Sequence, residues 1–343
     1  MLMSAKISAI EYHLPAAVLS NEVLADTFPE WSAEKIFDKT GIVQRHLAAA
    51  EETALDLAVA AAEKLFSADP AQREQIDFLL FCTQTPDYLL PTSACVIHQR
   101  LQLNSACAAL DINLGCSGFV YGLSLARALI VSGEARRVLL LTGDTYSKLI
   151  HPLDRSVRVL FGDAAAATLI VAEPTLASAL PPSGPFVLGT DGSGASNLMV
   201  PAGAARTPRS AATAAPYSDS SGNVRSAEQL FMDGPEILSF TLSAVPKVVA
   251  QVLQKAGKTL DQIDHVVFHQ ANGFILEALR KKIKIPREKF IIEFDSVGNT
   301  VSSSIPIALK RAKDKGQLQS GEVLLLVGFG VGYSWGAGIV TMF

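Results

Sequence analysis

Cys116 sits in "DINLGCSGFVYG" (Asp111 to Gly122), where a short apolar run gives way to an Ala- and Leu-rich stretch. If "AALDIN" is a strand and "SGFVYGLSLARALI" a helix, the thiol lies at the strand-to-helix turn. Gly115 and Gly118 permit a tight turn there. Free N–H groups and the positive end of the helix dipole would favour a thiolate and lower its pKa from the usual ~8.5. The segment by itself leaves a second reading open, because most lone cysteines are buried and inert. A nucleophile also needs a base or an orienting group.

His269 is a candidate. In "HVVFHQANGFILEALRKK" it stands where an apolar run ends and an amphipathic stretch begins. In open α/β sheets ligands bind at the carboxyl ends of strands. His265 shares its strand face, which would suit a metal pair, but no third ligand is evident. A structural histidine is the alternative for either residue. Asn299, in "DSVGNTVSSSIPIALKRA", precedes a helical stretch and reads as its cap or as a side-chain donor. Finally, "GFGVGYSWGAG" (Gly328 to Gly338) places five glycines in eleven residues. Neither GKS/GKT nor a helix-opening GxGxxG accompanies it, so backbone amides around an oxyanion fit it better than a phosphate loop.

The elements that must position these residues are legible as alternating patterns. "DFLLFCT", "AALDIN", "RVLLLTG" and "ATLIVA" read as strands, as do "DHVVFHQ", "KFIIEF", "EVLLLVGF" and "GAGIVTMF" later on. "ALDLAVAAAEKLF", "SACVIHQRLQ" and "FVYGLSLARALIVSG" read as helices. The alternation argues for an α/β fold with buried, largely parallel strands.

The two halves also resemble each other. "EQIDFLLFCTQ" matches "DQIDHVVFHQ" at an offset of 187 residues, and "SGEARRVLLLTGD" matches "SGEVLLLVGFG" at 188. "LDINLGCS" resembles "IEFDSVGNT" at 183. Three ordered matches at nearly one offset indicate an internal duplication, with halves over residues 1–175 and 176–343 related by a pseudo-twofold. Cys116 then corresponds to Asn299 and Cys82 to His269, and equivalent loops converge on one site. Residues 204–226, rich in Ala, Ser, Pro and Gly, read as a flexible surface insertion in the second half: a solvated excursion, a lid or an interface.

The 343 residues are 49% apolar, which provides ample core. A net charge of −4 implies no general affinity for nucleic acid. The N-terminal stretch does not read as a signal peptide, and no apolar run reaches the ~20 residues of a membrane span. The four cysteines have no CxxC or zinc-ligand spacing, so a cytoplasmic setting is expected.

Cys116, "HQAN" from His269, "GNT" from Gly298 and the terminal glycine run together resemble the thiolase-fold condensing enzymes. The resemblance is greatest to β-ketoacyl-acyl carrier protein synthase III. "KTGIVQRH", "LPTSAC" and "LDRSVRVLFGDAAAA" fall in that family's order as well. The resemblance implies a duplicated five-layer αβαβα fold, a homodimer and a triad of Cys116, His269 and Asn299. It implies an acyl-CoA donor and a malonyl-acyl carrier protein acceptor, with coenzyme A entering as a substrate thioester and no cofactor or metal. The backbone N–H groups of Cys116 and Val331 would form an oxyanion hole. Trp31 and Arg155 would contact the nucleotide end of CoA. Leu90 and Phe161 would line the acyl pocket or the dimer seam, and Lys281 and Lys282 would dock the carrier protein.

Some positions depart from the family pattern. Gly273-Phe274 stand where an Arg often follows "HQAN", "GVG" replaces "GGG", and Pro235 replaces Asn. With the 204–226 insertion, these leave open an acyltransferase of specialised metabolism with a different acceptor. A hydrolase is disfavoured because hydrolysis needs no enolate-stabilising pair. A non-enzymatic acyl-binding protein is disfavoured because all three triad types are present.

Overall fold

The structure, a computed structural model, describes residues 2–175 and 181–343. It contains two five-stranded sheets of the same topology. In the first, the strand order is Leu2–His13, Ala164–Thr175, Arg137–Asp144, Phe78–Cys82, Ala108–Ile112. In the second it is Ser183–Thr190, Ser334–Thr341, Val323–Gly330, His265–Phe268, Phe290–Ile291. Phe78–Cys82 pairs in parallel with both of its neighbours, and so does His265–Phe268. The remaining two pairings in each sheet are antiparallel. Each sheet is thus mixed, not largely parallel. Residues 331–333 join Val323–Gly330 to Ser334–Thr341 as a tight hairpin, and such a turn can only reverse the chain.

The helices complete five layers. Ala54–Ala68 and Ser93–Arg100 cover the outside of the first sheet, and Gly234–Ala256 and Gly273–Ile283 the outside of the second. Gly118–Ser132 and Ser304–Asp314 lie between the sheets. Gly118–Ser132 is apolar on nearly every side because sheets face it from both directions: Phe119, Val120, Leu123, Ala126 and Ile130 are all buried. Gly122 is required there, since a Cβ would come within 2.6 Å of the Leu140 side chain.

Gly234–Ala256 is long and apolar enough, by length and composition, to cross a membrane. Here Ile237, Thr241, Val245, Val248, Val249 and Val252 form its buried face, at helical spacing. Lys247 lies between them, and Glu236 and Lys255 stand in the first and last turns of the same helix. "KFIIEF" supplies only the two-residue strand Phe290–Ile291. The boundary expected at 175/176 opens onto residues 176–180, which lie outside the described residues. Residues 204–226 are partly fixed in place: Tyr217–Ser218 pairs with Val224–Arg225, and Arg225 is only 3% exposed.

Candidate active site

Cys116, His269 and Asn299 line one cavity of about 410 Å³. Each comes from the carboxyl end of a strand or the loop just beyond it. Cys116 follows Ala108–Ile112, His269 follows His265–Phe268, and Asn299 precedes the central helix Ser304–Asp314. Apolar side chains make most of the remaining wall, among them Phe161, Ile237, Leu238, Phe274 and Phe329.

The glycines explain how the terminal hairpin reaches the sulfur. A Cβ on Gly330 would lie 2.9 Å from both Cβ and Sγ of Cys116. One on Gly328 would lie 2.8 Å from Ser117 Cα. Val331 follows, with its side chain packed over Gly115. Ser117 Oγ and Ser334 Oγ are 2.6 Å apart, and Ser334 Oγ donates to the Val331 carbonyl at 2.9 Å. The turn is therefore tied to the nucleophile loop by both packing and hydrogen bonds.

His269 Nδ1 lies 2.7 Å from Ser304 Oγ. That oxygen already accepts from the Gln270 N–H at 3.4 Å, which leaves the serine hydrogen free to donate to Nδ1. The tautomer so assigned carries its proton on Nε2. Phe329 packs edge-on against the imidazole, with ring centroids 5.6 Å apart. Burial lowers the His269 pKa to about 3, so the ring is neutral throughout the physiological range.

Asn299 is held by its backbone and by one side-chain bond. Its N–H donates to Leu160 O at 2.9 Å, and its carbonyl accepts from Gly162 N–H at 3.0 Å. Its Oδ1 accepts from the Val301 N–H at 3.0 Å, which leaves Nδ2 as the free donor. Val301 adopts φ +50°, a left-handed conformation costly for a β-branched residue, next to the group it fixes.

The thiol differs from the sequence expectation. Burial pushes Cys116 up to about 12, and the nearby Asp144 carboxyl adds to the rise. Hydrogen bonds from the backbone of Val331 and of Cys116 itself pull the other way. Burial also raises Asp144, to about 7, against hydrogen bonds from Ser302 and Gln84. Proximity to a helix start predicts a thiolate, but 6% exposure outweighs it in the resting site.

The other sequence candidates fall in different places. Phe161 lines the cavity, its ring centroid 5.2 Å from that of Tyr146. Trp31 and Arg155 do not line it but stack on each other, with the guanidinium 5.0 Å from the ring centroid. Leu90 is 83% exposed and does not reach the cavity of its own chain, because its loop leads outward with Leu89 beside it at 93%. Lys281 and Lys282 are exposed on Gly273–Ile283, the helix whose first turn supplies Phe274 and Ile275 to the cavity. His265 stands at the far end of its strand, 3.7 Å from Glu322. Among the described residues, no group of three His, Cys, Asp or Glu side chains could hold a metal.

The sequence reading missed Ser304, Ser117, Ser334 and Tyr146. The signal for Ser304 was present in "NTVSSSIP": a run of three serines opening an apolar helix has to find buried partners.

Two family models match the chain. The C-terminal model of 3-oxoacyl-[acyl-carrier-protein] synthase III covers residues 253–342, and the model of 3-oxoacyl-[acyl-carrier-protein] synthase III covers 110–192. The β-ketoacyl-[acyl-carrier-protein] synthase III of Caldanaerobacter subterraneus is 35% identical over 331 residues, 96% of this chain and 95% of that protein. A crystal structure of a 3-oxoacyl-(acyl-carrier-protein) synthase III superposes with a TM-score of 0.96 at 53% identity, covering 99% of this chain and all of that one. The 3-oxoacyl-(acyl-carrier-protein) synthase of Burkholderia xenovorans gives 0.89 at 39% identity, covering 99% of this chain and 95% of its own. With the sequence and the fold matched along nearly its whole length, the chain belongs to the β-ketoacyl-[acyl-carrier-protein] synthase III family.

Proposed function

We propose that this protein condenses an acyl-CoA primer with malonyl-acyl carrier protein and releases a 3-ketoacyl-acyl carrier protein. The observation that carries this reading is the shared cavity, in which one nucleophile meets two neutral hydrogen-bond donors. In the first step Cys116 sulfur attacks the thioester carbonyl carbon. A new S–C bond forms, the bond to CoA sulfur breaks, and the cysteine proton leaves with the departing CoA thiol. The N–H groups of Cys116 and Val331, already directed at the sulfur, receive the oxyanion.

In the second step the malonyl thioester carbonyl accepts from His269 Nε2–H and Asn299 Nδ2–H. The bond to the carboxylate breaks, CO2 departs, and its electron pair passes into the enolate. The enolate's α-carbon attacks the acyl carbon, the C–S bond to Cys116 breaks, and the departing sulfur takes a proton from solvent to restore the thiol. A neutral imidazole suits this role because it donates without adding a net charge to a buried site.

The exposed Tyr88, Leu89 and Leu90 lie near the open edge strand Ala108–Ile112 of the first sheet, where Leu110 is also exposed. An apolar loop beside an unpaired strand edge suits a second copy of the chain, and we assign a homodimer to this face. Replacing Leu89 and Leu90 with Ser should shift the molecular mass in solution towards the monomer; an unchanged dimer would refute the assignment. All four cysteines are free, in keeping with a cytoplasmic enzyme. Lys281 and Lys282, at the far end of the helix whose first turn lines the cavity, are assigned to the acidic carrier protein.

The test is intact-protein mass after incubation with a panel of acyl-CoAs. One acyl group should add to the wild type and none to Cys116→Ala. Acylation of the variant would place the nucleophile elsewhere.

A further inference from the structure

Residues 204–226 take no part in the chemistry proposed above, yet they grip the chain at one defined place. The Val224 N–H donates to the Leu153 carbonyl. Arg225, 3% exposed, donates from Nε to the fully buried Asp154 carboxylate at 2.6 Å. Its Nη2 donates to Asp219 at 2.9 Å. The Ser221 carbonyl accepts from Arg155 Nη2 at 3.2 Å. Three successive residues, 153 to 155, are thus each held by the same segment.

What they hold is the guanidinium beside Trp31. Arg155 lies 5.0 Å from the indole centroid, with Lys39 at 5.3 Å and Lys35 at 5.6 Å. Glu30 pairs with Arg155 from the other side. Trp31 and Leu160 pack against the same apolar cluster of Leu19, Leu24, Phe28, Ile36 and Val159, and Leu160 also lines the catalytic cavity. A partly exposed indole ringed by three cations suits a planar base carrying phosphates.

Asp154 is the hinge of the arrangement. It caps the short helix Arg155–Arg158 through Ser156 N–H at 3.1 Å, and Arg225 neutralises it. Without that cation the carboxylate would be buried and unpaired, and the start of the helix would have to move.

We propose that Arg225 is a positioning residue: through Asp154 and the Ser221 carbonyl, the insertion sets Arg155 against Trp31. In this way it gives the enzyme its preference for a donor bearing a nucleotide. The proposal rests on the reading that the acyl donor is a CoA thioester. Lysine cannot reproduce the two-pronged contact, so Arg225→Lys loosens the clamp while keeping the charge.

The experiment compares KM and kcat for acyl-CoA and for the same acyl group on pantetheine, which lacks the nucleotide. Arg225→Lys should raise the KM for acyl-CoA about tenfold, with kcat and the pantetheine kcat/KM within about twofold of wild type. Equal loss with both thioesters, or a fall in kcat alone, overturns the proposal. Asp154→Asn combined with Arg225→Met removes both buried charges together and guards against misfolding of the single variant. A folded double variant with unchanged KM for acyl-CoA overturns it as well. A wild type that uses both thioesters equally well would instead remove the CoA reading, and the clamp with it.

Discussion

The connection between the last two strands of each five-stranded sheet, in chain order, differs sharply between the two halves. After Val323–Gly330 the chain turns back in three residues, 331–333, and delivers the Val331 amide to Cys116. After Arg137–Asp144 the equivalent connection runs from 145 to 163 and carries the Tyr146–Leu149 turn and the Arg155–Arg158 helix. One half uses the position to aim a backbone N–H at the Cys116 sulfur. The other uses it to place Phe161 in the cavity wall, backed by Tyr146, and to carry Arg155 outward. The strand ends differ in the same way: Cys82 is buried under Gly118, whereas the corresponding His269 faces the cavity. The frame is repeated, and the chemistry lies in what each copy hangs from it.

That contrast can be broken experimentally at three points. The largest effect is expected for His269→Ala. It should leave acylation by acyl-CoA intact and slow CO2 release by about 10²–10⁴-fold. In the wild type, CO2 release should be level between pH 5 and 9. The depressed pKa of about 3 favours the neutral ring, so no titration of His269 falls in that range. Acylation should instead climb with pH, because a thiol near 12 gains about tenfold in thiolate per pH unit. A sigmoidal loss of CO2 release near pH 6.5 would contradict the donor role.

Gly330→Ala comes next. A methyl group 2.9 Å from the sulfur must push the hairpin away, and acylation should fall by about 10²–10³-fold, as for a lost oxyanion donor. Ala at Gly133, where a Cβ would meet nothing within 4 Å, serves as the control, with its cost confined to stability. If both changes slow acylation alike, closeness to the sulfur is not what the terminal glycines provide. The smallest effect concerns the surface. Charge reversal at Lys281 and Lys282 should raise the KM for malonyl-carrier protein about tenfold and leave acylation unchanged. The effect should shrink in high salt.

Much of this was legible in the residues. The duplication was, because equivalent strands keep the same apolar runs, and the offsets near 187 recur in the paired sheets. The Cys116, His269 and Asn299 constellation was, because each sits at a break between two patterns. The state of the thiol was not: local sequence shows the helix start but not the sheets that bury it. For Leu90 the sequence left two places open, the acyl pocket or the dimer seam, and only tertiary structure shows that nothing of its own chain covers it. The anchoring of 204–226 was invisible because it depends on Arg225 meeting Asp154, 71 residues away. The reversal of strands escaped because an apolar run has no direction.

Both central helices begin at the catalytic cavity and run between the two sheets, so neither half has an inner face that is covered by its own elements alone. Unfolding one sheet would strip the cover from the other half's helix. The molecule should therefore melt in one cooperative transition, with nucleophile and donors lost together. Acyl-enzyme formation and CO2 release would then fail at the same temperature, even though the groups responsible come from opposite halves of the chain.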